Sequence, residues 1–71
     1  MIIEVNGRPL NLYQILYYYT RDEIIDESTT NYNIYYRLTD GRIITEEFTS
    51  EADRTAKIEE SLETASLGGL V

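Results

Sequence analysis

Carboxylates and tyrosines are the side chains in this sequence with chemistry to offer. Thirteen Asp and Glu stand against six Lys and Arg, and His and Cys are both absent. Without His or Cys the ordinary nucleophile–base pairs cannot be assembled. Disulfides and thiolate metal sites are excluded, and the commonest transition-metal ligand is missing. A carboxylate pair does acid–base work only inside a pocket that moves the two pKa values apart. A chain of 71 residues builds one sheet and one helix, which is too little for a deep cleft. Gly7, Gly41, Gly68 and Gly69 fall in turns and at the C-terminal end, so no glycine-rich phosphate loop is formed. The expectation is a protein that is not an enzyme and uses neither cofactor nor metal.

The carboxylates form two groups. Asp22, Glu23, Asp26 and Glu27 surround Ile24 and Ile25. The spacing lacks the Asp-x-Asp-x-Asp-Gly order of an EF-hand loop. It reads as a charged strand end, of the kind that keeps an edge from aggregating, or as a dock for a basic partner. Glu59, Glu60 and Glu63 form the second group, late in a helix whose dipole they oppose. Together with Glu46, Glu47 and Glu51 they predict a continuous acidic flank. A net charge of −7 disfavours direct binding to nucleic acid or to anionic membranes, since phosphates are held by cations. It suits a basic partner, imitation of a phosphate backbone, or simple solvation.

Tyrosine supplies seven aromatics, Tyr13, Tyr17, Tyr18, Tyr19, Tyr32, Tyr35 and Tyr36, and Phe48 is the only other. Consecutive residues of a strand point to opposite faces. Tyr17-Tyr18-Tyr19 and Tyr35-Tyr36 therefore set rings on both sides of a sheet. One helix covers one face, so the other displays tyrosines, which are enriched at interfaces. Tyr17, Tyr19 and Tyr35 are the candidate interface, either as a platform for self-association or as ordinary cross-strand pairs with their hydroxyls in water.

The elements that position these residues follow from turn signals and periodicity. Met1 to Val5 alternates, and Asn6-Gly7 is a type I′ hairpin turn. Pro9 keeps the return strand, Leu10 to Leu12, short or at an edge. Asn11 to Gln14 reads as a single turn and Ile15 to Ile25 as a strand, although a helix over 11–26 is the competing reading. Glu27 to Asn31 reads as a polar loop. Tyr32 to Thr39 and Arg42 to Phe48 are strands around an Asp40-Gly41 turn, with Ile34, Tyr36, Leu38, Ile44 and Phe48 expected to face inward and Tyr35 and Ile43 inward as the alternative register. Ser50 caps a helix running to Ser66, with Thr55, Ile58, Leu62 and Ala65 as its apolar stripe. The predicted fold is α+β: an antiparallel meander of about four strands with one C-terminal helix on one sheet face. Residues 1–66 form the single domain and 67–71 a flexible C-terminal tail. No apolar run approaches the ~18 residues that span a bilayer, and Met1-Ile2-Ile3-Glu4 lacks the basic start of a signal peptide, so a cytoplasmic location is expected.

Ile15-Leu16-Tyr17-Tyr18 and Tyr36-Arg37-Leu38-Thr39-Asp40-Gly41-Arg42-Ile43 resemble, in cadence, strands of LytTR-type DNA-binding domains. That family binds DNA, an activity the acidic charge opposes, and neither fold nor site is transferred from it. Two functional expectations remain. One is a small acidic interaction domain that forms a homo-oligomer through its tyrosine-bearing sheet face. The other is an acidic inhibitor of mobile-element or phage type, which mimics nucleic acid and occupies a basic nucleic-acid-handling protein.

Overall fold

The computed structural model describes residues 2–63. Within them the chain is α+β, with antiparallel strands and one helix packed on the sheet, as the turn signals predict. The five strands fall into two sheets instead of one meander of about four, because the first hairpin makes a sheet of its own. Strands β1 (Ile2–Val5) and β2 (Arg8–Asn11) pair with each other alone. Asn6 and Gly7 both adopt positive φ, 55° and 76°, which a type I′ turn requires. Pro9 is tolerated within β2 because a two-stranded ribbon is all edge.

A 3₁₀ turn, Leu12–Gln14, links this hairpin to the main sheet, and the Asn11 side chain accepts a hydrogen bond from the Tyr13 N–H at its start. The stretch that follows is a strand, not a helix. The β-rich run from Ile15 onward becomes β3 (Ile15–Asp26), which pairs with β4 (Thr29–Leu38), which in turn pairs with β5 (Ile43–Phe48). The expected loop from Glu27 to Asn31 shrinks to a two-residue turn. The Asp26 carboxylate accepts from the Ser28 N–H at 2.9 Å and the Ser28 hydroxyl at 3.2 Å, closing the bend locally. Thr29 and Thr30 then pair with Asp26 and Ile24, a use that suits β-branched residues. The β4–β5 connection turns on Gly41 at φ 97°, with Asp40 accepting from the Arg42 N–H and Nε.

One face of the three-stranded sheet carries the core. Ile34, Tyr36 and Leu38 of β4 and Tyr18 of β3 are buried there, with Ile44 and Phe48 of β5 packed alongside. The helix does not cover this face alone. Ile3, Val5, Leu10 and Leu12 from the β1–β2 hairpin join the same cluster, and Asn6 Nδ2 ties the hairpin to the Thr45 carbonyl at 2.9 Å. Helix α1 (Glu51–Lys57) is capped by the Ser50 hydroxyl, which accepts from the Asp53 N–H at 3.1 Å, and it continues as a π-helical segment, Ile58–Glu63. Of the expected stripe, Leu62 is buried and Ile58 half-buried, but Thr55 is exposed. Ala65, the end of the helix at Ser66 and the tail 67–71 lie outside the described residues. Arg54 anchors the other side of α1: its guanidinium lies 5.4 Å from the Tyr32 ring centroid and bonds Asp22 at 2.7 Å.

Glu46 departs from expectation. Its place between Ile44 and Phe48 turns it inward, so it is 8 % exposed and contributes nothing to an acidic flank. The Tyr36 hydroxyl donates to Oε1 at 2.7 Å, and Lys57 Nζ donates to Oε2 at 3.3 Å and to the Glu4 carbonyl. A buried carboxylate needs such partners. Burial, and then the hydrogen bond to the Glu46 carboxylate, raise the Tyr36 phenol far above its ordinary value of 10.0. Ionisation of Tyr36 is therefore harder in the folded chain than in the unfolded one. Its contribution is fully present below about pH 10 and declines as the pH rises beyond that. Urea unfolding should show Tyr36→Phe destabilised by about 1–3 kcal/mol at neutral pH, since Glu46 loses a buried donor. The variant should also lose part of the decline in stability that the wild type shows above pH ~10.

Candidate tyrosine interface

The candidate surface is the sheet face opposite the core. Register fixes its membership: Tyr17 lies opposite Arg37, Tyr19 opposite Tyr35 and Arg21 opposite Asn33, while β5 adds Ile43, Thr45 and Glu47 beside Arg37, Tyr35 and Asn33. Tyr18 and Tyr36 occupy the other face and are buried at 7 % and 0 %. Strand alternation thus divides the tyrosines as expected, and it brings all three interface candidates together. The Tyr19 and Tyr35 rings are stacked, with centroids 5.0 Å apart and planes at 13°. Tyr17 leans on Tyr19 at 6.2 Å and 35°. Tyr17 is the most open of the three, and Tyr19 and Tyr35 are half-buried by one another.

Sequence reasoning missed Asn33. It is 1 % exposed, and its Nδ2 donates to the Tyr35 hydroxyl at 3.1 Å, while its Oδ1 has no partner. Its position two residues before Tyr35 was the available signal, because i and i+2 share a face of a strand. Farther along β4, Asn31 donates to Glu47 at 2.9 Å, so the face grades from aromatic to amide and carboxylate.

The acidic candidates do not act as one set. Asp22, Glu23, Asp26 and Glu27 are exposed along the far end of the β3–β4 ribbon. Asp22 is neutralised by Arg54 at 2.7 Å. Asp26 is held below the usual carboxylate range by the Ser28 N–H and then by the Ser28 hydroxyl. Glu59 and Glu60 are exposed on the π-helical segment, and the Glu63 side chain lies outside the described residues. No grouping of three or more Asp or Glu is placed to hold a metal ion among the described residues. An open cleft of about 640 Å³ lies between the β1–β2 hairpin and β5. Arg8, Leu10, Gln14, Arg42 and Ile44 help line it, and no carboxylate does. No helix among the described residues is long and apolar enough to cross a membrane.

Stacked rings across a strand pair couple energetically. A double-mutant cycle of Tyr19→Ala and Tyr35→Ala, measured by urea unfolding, should give a coupling energy of about 0.5–1.5 kcal/mol. Pairing Tyr13→Ala with Tyr35→Ala should give none, since Tyr13 stands 84 % exposed on the 3₁₀ turn. Against this geometry, the chain matches no protein-family model, and neither curated proteins nor solved structures offer a significant match.

Proposed function

We propose that the chain is a small, non-enzymatic interaction domain that associates with itself through the tyrosine-bearing side of its three-stranded sheet. One observation carries this reading: Tyr17, Tyr19 and Tyr35 gather on the face that neither the helix nor the first hairpin covers. Tyrosine gives large amphipathic contact area with little rotamer entropy to lose. A chain of 71 residues also gains from burial beyond its own core, which in this size range contributes roughly 3–5 kcal/mol net.

Sedimentation equilibrium tests the reading. Wild type should dimerise with rising concentration and remain associated at ~0.5 M NaCl, because apolar burial is not screened. Tyr17→Lys should weaken the association at least about tenfold, or ~1.4 kcal/mol, with the circular dichroism spectrum unchanged. A chain that stays monomeric at every concentration would overturn the proposal.

A second reading draws on the exposed Glu23, Asp26 and Glu27, which flank Ile24 and Ile25 at the ribbon's end. There the protein would be an acidic inhibitor presented to the groove of a basic, nucleic-acid-handling partner. Complexes of that kind should dissociate steeply between ~0.1 and ~0.5 M salt. Capture experiments at low salt that retain no basic partner would count against it.

A further inference from the structure

Two turns of this chain set a glycine directly after a side chain that ends in a γ-carbonyl, Asn6-Gly7 and Asp40-Gly41. In such a pair the glycine nitrogen can attack the γ-carbon before it and close a five-membered imide. Glycine has no side chain to hinder that approach. The fold treats the two turns differently. At the second, the Gly41 N–H donates to the Leu38 carbonyl at 3.0 Å, so the attacking nitrogen is engaged. Asp40 is ion-paired with Arg42 at 2.7 Å, and the Arg42 N–H holds its carboxyl below the usual carboxylate range. An ionised carboxylate resists attack by nitrogen.

Neither protection exists at the first turn. Asn6 and Gly7 are both exposed, and the Gly7 N–H has no hydrogen-bond partner among the described residues. A Cβ built on Gly7 would meet nothing within 4 Å, so the space around the nitrogen is open. The Asn6 side chain is an uncharged amide, restrained by one exposed hydrogen bond from Nδ2 to the Thr45 carbonyl. Asn11, Asn31 and Asn33 instead precede Leu12, Tyr32 and Ile34, whose bulk crowds the nitrogen that would attack.

We infer that Asn6 is a site of spontaneous deamidation, and that its conversion unfastens the first hairpin from β5. The Gly7 nitrogen gives its proton to water and bonds to Asn6 Cγ. The Cγ–Nδ2 bond breaks, and ammonia leaves with a proton taken from water. Water then opens the imide at Cγ to leave aspartate, or at the Asn6 backbone carbonyl to leave isoaspartate. Either product lacks the Nδ2 donor and sets a carboxylate near the Thr45 carbonyl oxygen. It also adds a negative charge to a chain already at −7. Isoaspartate lengthens the main chain by a methylene inside the two-residue turn that sets Val5 opposite Arg8, a closure that depends on two successive positive φ angles. Ile3, Val5 and Leu10 of this hairpin belong to the core cluster, so the modified turn loosens part of the core's cover. The inference is independent of the self-association proposed above.

Purified chain held in mildly alkaline buffer at physiological temperature tests it, with peptide mass mapping and chromatographic separation of isoaspartate. Conversion at Asn6 should run at least about tenfold faster than at Asn11, Asn31 or Asn33, and isoaspartate formation at Asp40 should be slower by a similar factor. Gly7→Ala should slow conversion at Asn6 at least about tenfold. Wild type unfolded in urea provides a second arm that needs no variant. With both turns released, the rate at Asp40 should rise at least about tenfold and the rate at Asn6 by less. In the aged, refolded-free native sample, amides of β1 and β2 should exchange hydrogen faster than in fresh protein, while those shared by β3 and β4 stay unchanged. Conversion at Asn6 no faster than at the other asparagines, or equal acceleration of the two turns in urea, would overturn the site. Unchanged exchange in the hairpin of converted protein would overturn the unfastening.

Discussion

The Glu46 carboxylate is the point at which the separate parts of this fold are fastened. It accepts from Tyr36 on the neighbouring strand and from Lys57 at the end of α1, and the same ammonium reaches the Glu4 carbonyl in the first hairpin. Sheet, helix and hairpin are thus joined through a charge lying under the apolar cover. Hydrophobic burial is non-directional and does not by itself fix how α1 and the hairpin lie across the sheet. A buried carboxylate does, because it is tolerable only with its partners in place. Both lids consequently sit on the same face, and the tyrosines of the other face are left open.

Much of this was legible in the residues. Asn6-Gly7 specifies its turn through two positive φ angles, Asp40-Gly41 marks the second bend, and Ser50 with Asp53 marks the helix start. Alternation in Tyr17-Tyr18-Tyr19 and Tyr35-Tyr36 separates inner from outer rings without any coordinates. The failures share one cause, which is that local pattern does not report tertiary partners. Thr29 to Asn31 looks like loop on composition, yet a carboxylate at Asp26 shortens the turn and frees those residues for the ladder. Glu46 looks solvated, yet Tyr36 and Lys57 satisfy it inside. Asn33 reads as surface until Tyr35 is placed beside it. The independent β1–β2 sheet was hidden for the same reason, because nothing in its sequence says whether β2 pairs onward or folds back across the core.

The two halves of β3 serve different ends. From Ile15 to Tyr18 the strand is part of the core, with Ile15 and Tyr18 buried. Beyond Thr20 every residue through Asp26 is exposed, Arg54 of α1 reaches Asp22, and from Glu23 onward the sheet narrows to β3 and β4. Carrying a two-stranded ribbon out into water brings little intramolecular burial, since an isolated hairpin is marginally stable. Its local supports are the Asp26–Ser28 turn and the threonine pairs, which hold register more than they add burial. A ribbon of that kind, bearing isoleucines among carboxylates, gains most from contact with another surface.

The charge then constrains what form self-association can take. Repulsion between chains of net charge −7 grows with each copy added, so the proposed self-association would favour an assembly that stops at two over one that propagates. The sheet has a second edge, along β5, but Asn6 of the first hairpin already occupies the Thr45 carbonyl there. The same hairpin that completes the hydrophobic core therefore also obstructs the strand by which a longer sheet would grow. Strands β1 and β2 carry no tyrosine, and their inward residues Ile3, Val5 and Leu10 go to the core, so the hairpin's composition matches its place over the buried face.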